Sequence, residues 1–247
     1  MLGRDLAMAL DPVELAREAG FEPDEWQSRF LRSAGSRVLL NCSRQAGKST
    51  MAATLAVHTA LYEPGSLVLL LSPSLRQSQE LFKKAIACYR TTGDSVPPAT
   101  ESALRVELEN GSRIVSLPGK EDTVRGFSGV KLLVVDEAAR VPGDLYFAVR
   151  PMLAVSRGRL LALSTPFGTR GWWFDAWRSE ETWERYEVPA TDCPRISQSF
   201  LEEERRTLGE WWFAQEYECR FLDAETQPFG REDIERAFEE NVQTWAL

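Results

Sequence analysis

Histidine is almost missing from this sequence, and its scarcity excludes several kinds of chemistry. The 247 residues include one histidine, His58. A Ser-His-Asp triad or a multi-histidine metal site would have to be built around that one side chain, without a partner nearby in the sequence. We therefore expect His58 to be a structural residue of a helix.

Cysteine and long apolar runs are scarce as well. The four cysteines are scattered without C-x-x-C spacing, which favours buried free thiols over a zinc site or a disulfide framework. No run approaches about 18 uninterrupted apolar residues, and residues 1–20 carry acids where a signal peptide would be apolar. These two absences predict a soluble, intracellular chain.

The chain also lacks an excess of basic charge. It has 29 lysines and arginines against 37 acids, for a net charge of -8. This balance argues against a protein that binds nucleic acid over its whole surface. Any DNA contact must be local, or shared with other subunits or domains. Arginines do populate the middle of the chain, although a solvated mixed surface is their ordinary explanation.

What is present is an alternation of apolar strands and helical patterns. Apolar runs predict strands at 37–42, 66–74, 104–110, 113–118, 130–137, 159–166 and 182–190. Several of these runs are continuous, as is typical of a parallel sheet covered by helices on both faces. Asn110 and Gly111 suit a tight hairpin turn. Helices are predicted at 48–62, 75–90, 145–153 and 199–222.

The stretch CSRQAGKST, residues 42–50, ends like a phosphate-binding P-loop. The first glycine of the G-x-x-x-x-G-K-[ST] pattern would fall at position 42, where this chain has cysteine. A predicted strand precedes the stretch and a predicted helix follows it, which is the context that a P-loop needs. The retained Gly47 lies where the backbone must approach phosphate closely.

A P-loop at this place assigns chemistry to its residues. Lys48 would reach the β- and γ-phosphates, Ser49 would ligate magnesium, and backbone N–H groups would surround the anion. Arg44 would add a second positive charge near the γ-phosphate. The predicted nucleotide-binding residues of the loop are Ser43, Arg44, Gln45, Ala46, Gly47, Lys48, Ser49 and Thr50.

A second motif is LLVVDEAA, residues 132–139, an apolar strand that ends in two acids. Carboxylates at the end of a buried strand need partners. In a P-loop ATPase, Asp136 would orient the magnesium shell and Glu137 would activate the attacking water. The alternative is an acid pair that caps the next helix. Together the two motifs predict an α/β fold of the P-loop NTPase (ASCE) type, with a mainly parallel sheet.

Two further segments suit the same site. LALSTPFG would place Thr165 at the carboxyl end of a strand beside the nucleotide, where it could sense the γ-phosphate. Upstream, Gln27 has an amide suited to an adenine edge, with Phe21 or Trp26 for stacking. Taken singly, Thr165 and Gln27 could equally be ordinary loop and cap residues.

These segments together resemble the ATPase region of the large terminase subunit of tailed bacteriophages, which pumps DNA into empty procapsids. The stretches that carry the resemblance are DEWQ, SRQAGKS, LLLSPSLRQSQELF, TVRGFSGVKLLVVDEA, LSTPFG and FAQEYECRFL. The resemblance implies that Gln27 contacts adenine and that Arg44, Lys48 and Ser49 bind the phosphates. It also implies that Asp136 and Glu137 bind magnesium and water. Thr165 would couple hydrolysis to movement.

The resemblance also implies cofactors, partners and a domain layout. The cofactors would be ATP and Mg²⁺. The partners would be double-stranded DNA, the portal and procapsid, the small terminase subunit and further copies of the chain in a ring, in the host cell cytoplasm and away from membranes. Residues 1–190 would form the ATPase core, and residues 191–247 a helical lid subdomain with a linker or tail.

An arginine followed by glycine, as in TVRGF, resembles the finger that related terminases supply to a neighbouring subunit's ATP. That role would fall on Arg125, with Arg140 as the second candidate; a surface arginine beside a glycine turn is the plain alternative. A complete large terminase continues into an RNase H-like nuclease domain, for which this sequence has no room. We expect a motor fragment, or a separate ATPase chain, that cleaves no DNA.

Two other functions stay open on sequence grounds. A helicase-type translocase or repair ATPase shares these motifs, but a full superfamily-2 helicase needs a second RecA-like domain. A non-catalytic assembly protein that responds to nucleotide binding alone would have no need of the water-activating Glu137.

Overall fold

An eight-stranded sheet runs through the centre of the computed structural model, which describes residues 2–93, 95–119 and 126–223. Its strand order is β3-β4-β5-β2-β6-β7-β1-β8. The pairs among β3, β4 and β5 are antiparallel, and every other pair is parallel. The strands are β1 (Arg37–Cys42), β2 (Leu67–Ser72), β3 (Pro98–Glu101), β4 (Arg105–Leu108), β5 (Arg113–Pro118), β6 (Val130–Asp136), β7 (Arg159–Ser164) and β8 (Glu184–Val188).

Helices pack on both faces of this sheet. They are α1 (Leu2–Leu10), α2 (Pro12–Glu18), α3 (Glu25–Leu31), α4 (Lys48–Tyr62), α5 (Leu75–Thr91), α6 (Gly143–Val149), α7 (Trp172–Arg178) and α8 (Gln198–Glu216). Neighbouring strand residues point to opposite faces, so Leu40 joins the core under α4 and α5 while Leu39 joins the core under α6 and α7. Among the described helices, each is too short or too polar to span a bilayer.

The seven predicted strands are confirmed, most of them with slightly shorter ends, and so is the hairpin at Asn110 and Gly111. The sequence did not predict β3, because its residues are exposed or half-buried and begin with proline, as an edge strand tolerates. The predicted helix at 145–153 was too long, since it gives way at Arg150–Leu153 to a short 3₁₀ turn that contains proline. Helices α1, α2, α3 and α7 were also not predicted.

The helix predicted at 199–222 was too long as well. Helix α8 ends at Glu216, and Cys219 shortly beyond it has a left-handed backbone (φ 61°) that cannot continue a helix. Gly209 interrupts α8 with φ 77° and ψ 164°, so the element consists of two helical pieces on either side of a kink.

His58 lies on α4 and faces α1. Its Nε2 is 3.0 Å from the carbonyl oxygen of Met8, and its ring is tilted against Tyr62. Burial lowers the pKa of His58. A neutral imidazole that donates to a backbone carbonyl stabilises the packing of α1 on α4, as expected for a structural histidine.

The four cysteines are free and buried, as the sequence predicts. Burial raises the pKa of Cys42 to about 12 and that of Cys88 to about 11. Because the thiolate is the reactive form, we expect the native protein at pH 8 to react with Ellman's reagent at fewer than about one thiol per chain. Denaturation in guanidinium should release all four. Rapid labelling of one thiol in the native protein would contradict this burial.

Candidate nucleotide site

The predicted site residues meet at the carboxyl edge of the parallel strands. The loop 43–47 leaves β1 and enters α4, the acids Asp136 and Glu137 end β6, and Thr165 follows β7. In open α/β sheets this edge is where ligands bind. A cavity of about 490 Å³ opens there, lined by Arg44, Gln45, Gly47, Lys48, Ser49, Thr50, Gln77, Lys84, Glu137, Arg140 and Thr165.

The loop has the backbone of an anion-binding turn. Gln45 (φ 61°) and Gly47 (φ 87°) both adopt left-handed conformations, and Gly47 is the N-cap residue of α4. The positive φ of Gly47 favours glycine, and a Cβ there would lie 2.8 Å from Nε2 of Gln27 and would displace that amide. The start of α4 therefore opens onto the cavity, which Gly47, Lys48, Ser49 and Thr50 line.

The missing first glycine has a structural explanation. Cys42 is the last residue of β1, pairs in parallel with β8, and is fully buried in the core under α4. Its backbone is an extended strand, so position 42 needs no positive φ. The loop proper begins at Ser43, whose N–H donates to the carbonyl of Val188 at 2.9 Å. The departure from the motif thus falls outside the turn that would hold phosphate.

Gln27 is buried against this loop and uses both ends of its amide. Its Nε2 donates to the carbonyl of Ala46 at 3.0 Å, and its Oε1 accepts from the N–H of Asp24 at 2.9 Å, completing a capping box at the start of α3. Arg195 reaches the same carbonyl of Ala46 at 3.3 Å and also bonds Asp24. Helix α3 is therefore tied directly to the phosphate loop.

Replacing Gln27 with alanine should destabilise the protein. The change leaves the Asp24 N–H without its acceptor and removes one donor from the Ala46 carbonyl, at a cost of about 1–3 kcal/mol in the free energy of unfolding. Urea denaturation measures this loss. The exposed Gln198 on α8 is the matched control, because its replacement should change stability by less than about 0.5 kcal/mol. An equal loss of stability in the two variants would show that the hydrogen bonds of Gln27 to Ala46 and Asp24 contribute nothing to the free energy of unfolding.

The P-loop side chains lie beside the acid pair of β6. Ser49 Oγ donates to Asp136 Oδ1 at 3.3 Å, and Lys48 Nζ is 4.0 Å from Glu137 Oε1. Asp136 Oδ1 also accepts the Glu137 N–H at 3.1 Å. Glu137 itself is left-handed, with φ 52°, an uncommon conformation for a non-glycine residue and one that recurs at functional sites.

Nearby lysines offset only part of the negative charge of Asp136 and Glu137. Burial and the neighbouring Glu137 raise the pKa of Asp136 to about 6, against the opposing effect of Lys48 and Lys84. A buried carboxylate next to a hydroxyl and a second carboxylate is an all-oxygen donor set, which is what Mg²⁺ prefers. Such an ion needs few protein ligands, since it keeps waters and binds substrate phosphates. Asp136 and Ser49 therefore fit a magnesium site.

Arg44 is bound by Glu216, the last residue of α8. Its Nε donates to Glu216 Oε2 at 2.6 Å, and its backbone N–H donates to the Glu216 carbonyl at 3.0 Å. The carboxylate is buried whereas most of the guanidinium is exposed and lines the cavity. The hydrogen bond from Arg44 to Glu216 raises the pKa of Arg44. Helix α8 thus holds the arginine of the phosphate loop.

Sequence reasoning missed several residues of the site. Glu216 and Arg195 contact the loop, and Gln77 and Lys84 of α5 line the cavity. Glu216 and Gln77 lie in the stretches FAQEYECRFL and LLLSPSLRQSQELF, so the resemblance marked their segments without assigning them a role. Thr165 is buried and lines the cavity as predicted. Ser43 and Ala46 are buried and contribute backbone groups.

Two arginines were proposed as fingers. Arg125 lies outside the residues that the structure describes. Arg140 lines the cavity of its own chain, with its Nε 4.0 Å from Glu137 Oε2.

Fold and site together define a P-loop NTPase. The sheet is mainly parallel, a glycine loop opens α4, and the acid pair at the end of β6 faces its lysine and serine. The chain belongs to a particular family of such proteins: the family described as terminase large subunit, T4-like virus type, N-terminal, matches residues 39–236.

Known relatives agree with this placement. The large terminase subunit of Escherichia phage T5 is 31% identical over 210 residues, covering 81% of this chain and 47% of the relative. The chain spans about half the length of the curated relatives it matches. In fold it is similar to the large terminase ATPase domain of Thermus phage P74-26, with a TM-score of 0.74 and 22% identity over 84% of this chain and 97% of that one. It is also similar in fold to a large terminase from a thermophilic bacteriophage, solved in complex with ADP, with a TM-score of 0.65 and 12% identity, covering 81% of this chain and 53% of that one.

Proposed function

We propose that this chain is an ATP-hydrolysing motor domain that drives double-stranded DNA into a viral procapsid. The observation that carries the proposal is the meeting of Lys48 and Ser49 with Asp136 and Glu137 at one edge of the sheet. A binding site for phosphate needs only the loop. A carboxylate near the γ-phosphate position adds the base that hydrolysis needs.

Different residues of the site would have different roles in ATP hydrolysis. The N–H groups at the start of α4, Lys48 and Arg44 bind the phosphates and neutralise the charge that develops on them. Glu137 orients a water in line with the γ-phosphorus and accepts its proton. Asp136 and Ser49 would hold Mg²⁺, which would supply positive charge to offset that of the phosphates.

Gln27 adds a base contact to its structural role. An amide that already donates to Ala46 and accepts from Asp24 retains one N–H and one lone pair. That pattern suits an adenine edge. The structural relative that was solved with ADP supports an adenine nucleotide as the ligand.

Movement of DNA would require that ATP hydrolysis at the site shift other parts of the chain, namely the Thr165 loop and the segment from residue 191. In this proposal Thr165 senses the γ-phosphate, and the segment from residue 191 closes over the nucleotide as a lid on the core of residues 1–190. Residues 224–247 of that segment lie outside the part of the chain that the structure describes. Because the chain is acidic overall, it would bind DNA through local phosphate contacts. Several copies would form a ring around the DNA, and Arg125 of each copy would complete the nucleotide site of its neighbour. The portal, the procapsid and the small terminase subunit are the remaining partners, in the host cytoplasm.

Phosphate release from Mg-ATP tests the enzymatic part of this proposal. The wild-type chain at high concentration should hydrolyse ATP, and Lys48→Ala should not, because it loses the charge that holds the β- and γ-phosphates. Nucleotide binding without turnover by the wild type would instead favour the non-catalytic assembly protein. ATP-dependent strand separation would favour the helicase-type translocase.

A further inference from the structure

Glu137 is held between two cations of its own chain. One carboxylate oxygen is 4.0 Å from Lys48 Nζ, and the other is 4.0 Å from Arg140 Nε. Both distances exceed a charge-assisted hydrogen bond of about 2.8 Å. The two cations therefore attract the carboxylate from both sides while leaving its lone pairs free to accept from a water.

Arg140 is itself held by an aromatic ring. Its guanidinium carbon lies 4.2 Å from the centre of the Phe167 ring, within cation–π range. The backbone beneath it is fixed, because the Arg140 N–H donates to the Glu137 carbonyl at 2.8 Å and Trp172 Nε1 donates to the next carbonyl, that of Val141, at 2.8 Å. Beyond this anchored main chain, the guanidinium packs on the Phe167 ring and lies near Glu137, so a shift of the ring would shift the guanidinium relative to that carboxylate.

Phe167 belongs to the loop that leaves β7, and this loop contacts three parts of the site. Thr165 lines the nucleotide cavity, Phe167 stacks on Arg140, and the Gly168 N–H donates to Gln215 of α8 at 3.4 Å. The Phe167 ring is about half exposed, so it is not locked in the core. A displacement of Thr165 by a γ-phosphate would therefore move the ring that orients Arg140.

We infer that Arg140 is a positioning residue that acts in its own subunit, setting the carboxylate of Glu137 according to the position of the 165–168 loop through Phe167. The inference rests on the proposed ATPase function and deepens it. It replaces the role of a finger for a neighbouring subunit, because the side chain already lies in its own cavity beside its own Glu137.

The kinetic test compares Arg140→Ala, Arg140→Lys, Phe167→Ala and the double variant Arg140→Ala/Phe167→Ala. Arg140→Ala should lower kcat by about 10- to 100-fold, the scale of a misplaced catalytic group, with KM for ATP within about threefold of wild type. Arg140→Lys should recover part of kcat, since it keeps the charge. Phe167→Ala should lower kcat less than Arg140→Ala, and the double variant should be no worse than Arg140→Ala alone, because Phe167 acts through Arg140.

Arg150→Ala is the matched control, because Arg150 also stacks on a ring, that of Tyr146, but does not line the nucleotide cavity. Its kcat should equal that of wild type. Equal unfolding midpoints for the variants would show that the effects are not due to misfolding. If Arg140→Ala does not fold, Arg140→Lys and Phe167→Ala still test the inference. A lowered kcat in both variants would support it, and an unchanged kcat in both would overturn it.

Mixing variants separates action within a subunit from action between subunits. Arg140→Ala mixed with Glu137→Gln should regain no activity, because every site then lacks one of two groups that must come from the same chain. Recovery in this mixture would place Arg140 in a neighbour's site and overturn the inference. An inactive wild-type chain would contradict the proposed function, whereas an active wild type with a normal Arg140→Ala variant would contradict this inference alone.

Discussion

Glu137→Gln is expected to reduce kcat for ATP hydrolysis by about 10²- to 10⁴-fold while Mg-ATP still binds. Glutamine keeps the size of the side chain, so the cavity keeps its shape. It removes the carboxylate that, in the proposed mechanism, accepts the proton of the attacking water. It also removes the negative charge 4.0 Å from Lys48, which leaves the lysine free for phosphate.

Steady-state phosphate release and titration with a fluorescent ATP analogue measure the two halves of this prediction. Glu210→Gln is the control, because Glu210 is an exposed residue of α8 outside the cavity and its change should alter neither quantity. Turnover within about threefold of wild type in Glu137→Gln would remove Glu137 from the mechanism. A loss of binding together with turnover would show instead that Glu137 shapes the site.

Arg125→Ala is the second large change, with an expected loss of about 10³-fold or more in kcat of the assembled protein. In the proposed mechanism, Arg125 from a neighbouring subunit would neutralise the charge that spreads over the γ-phosphoryl oxygens in the transition state. Binding of ATP should change little, because this contact strengthens in the transition state.

Arg76→Ala provides the comparison for Arg125, since Arg76 is an exposed arginine at the start of α5 that does not line the cavity. It should retain wild-type turnover. Arg125→Lys should recover little, because a lysine lacks the planar fork of an arginine. Full activity of Arg125→Ala at high protein concentration would mean that position 125 is the plain surface arginine of the alternative explanation.

The sequence predicted the parts of the site that are local in the chain. The strand, loop and helix around Gly47 and the strand that ends in Asp136 and Glu137 are each read from a few consecutive residues, and their meeting follows from the parallel order of the strands. The cysteine in place of the first glycine departs from the P-loop pattern. It proved to be a buried strand residue outside the turn.

What the sequence could not predict are contacts between distant segments. The bond between Arg44 and Glu216 joins residues 172 positions apart, and that between Arg195 and Asp24 joins residues 171 apart. Such pairings depend on how α8 and the segment before it pack against the loop, which no local pattern encodes. The same holds for Phe167, whose ring reads as an ordinary apolar residue until its contact with Arg140 is seen.

The central claim is that nucleotide sites of this protein are completed between subunits, as a ring motor requires. Phosphate release should be measured over a wide range of protein concentration for the wild type, and for an equimolar mixture of Arg125→Ala and Glu137→Gln. The account predicts that specific activity rises with concentration and that the mixture is far more active than either variant alone. Specific activity that is constant with concentration, together with a mixture as inactive as its components, would contradict it.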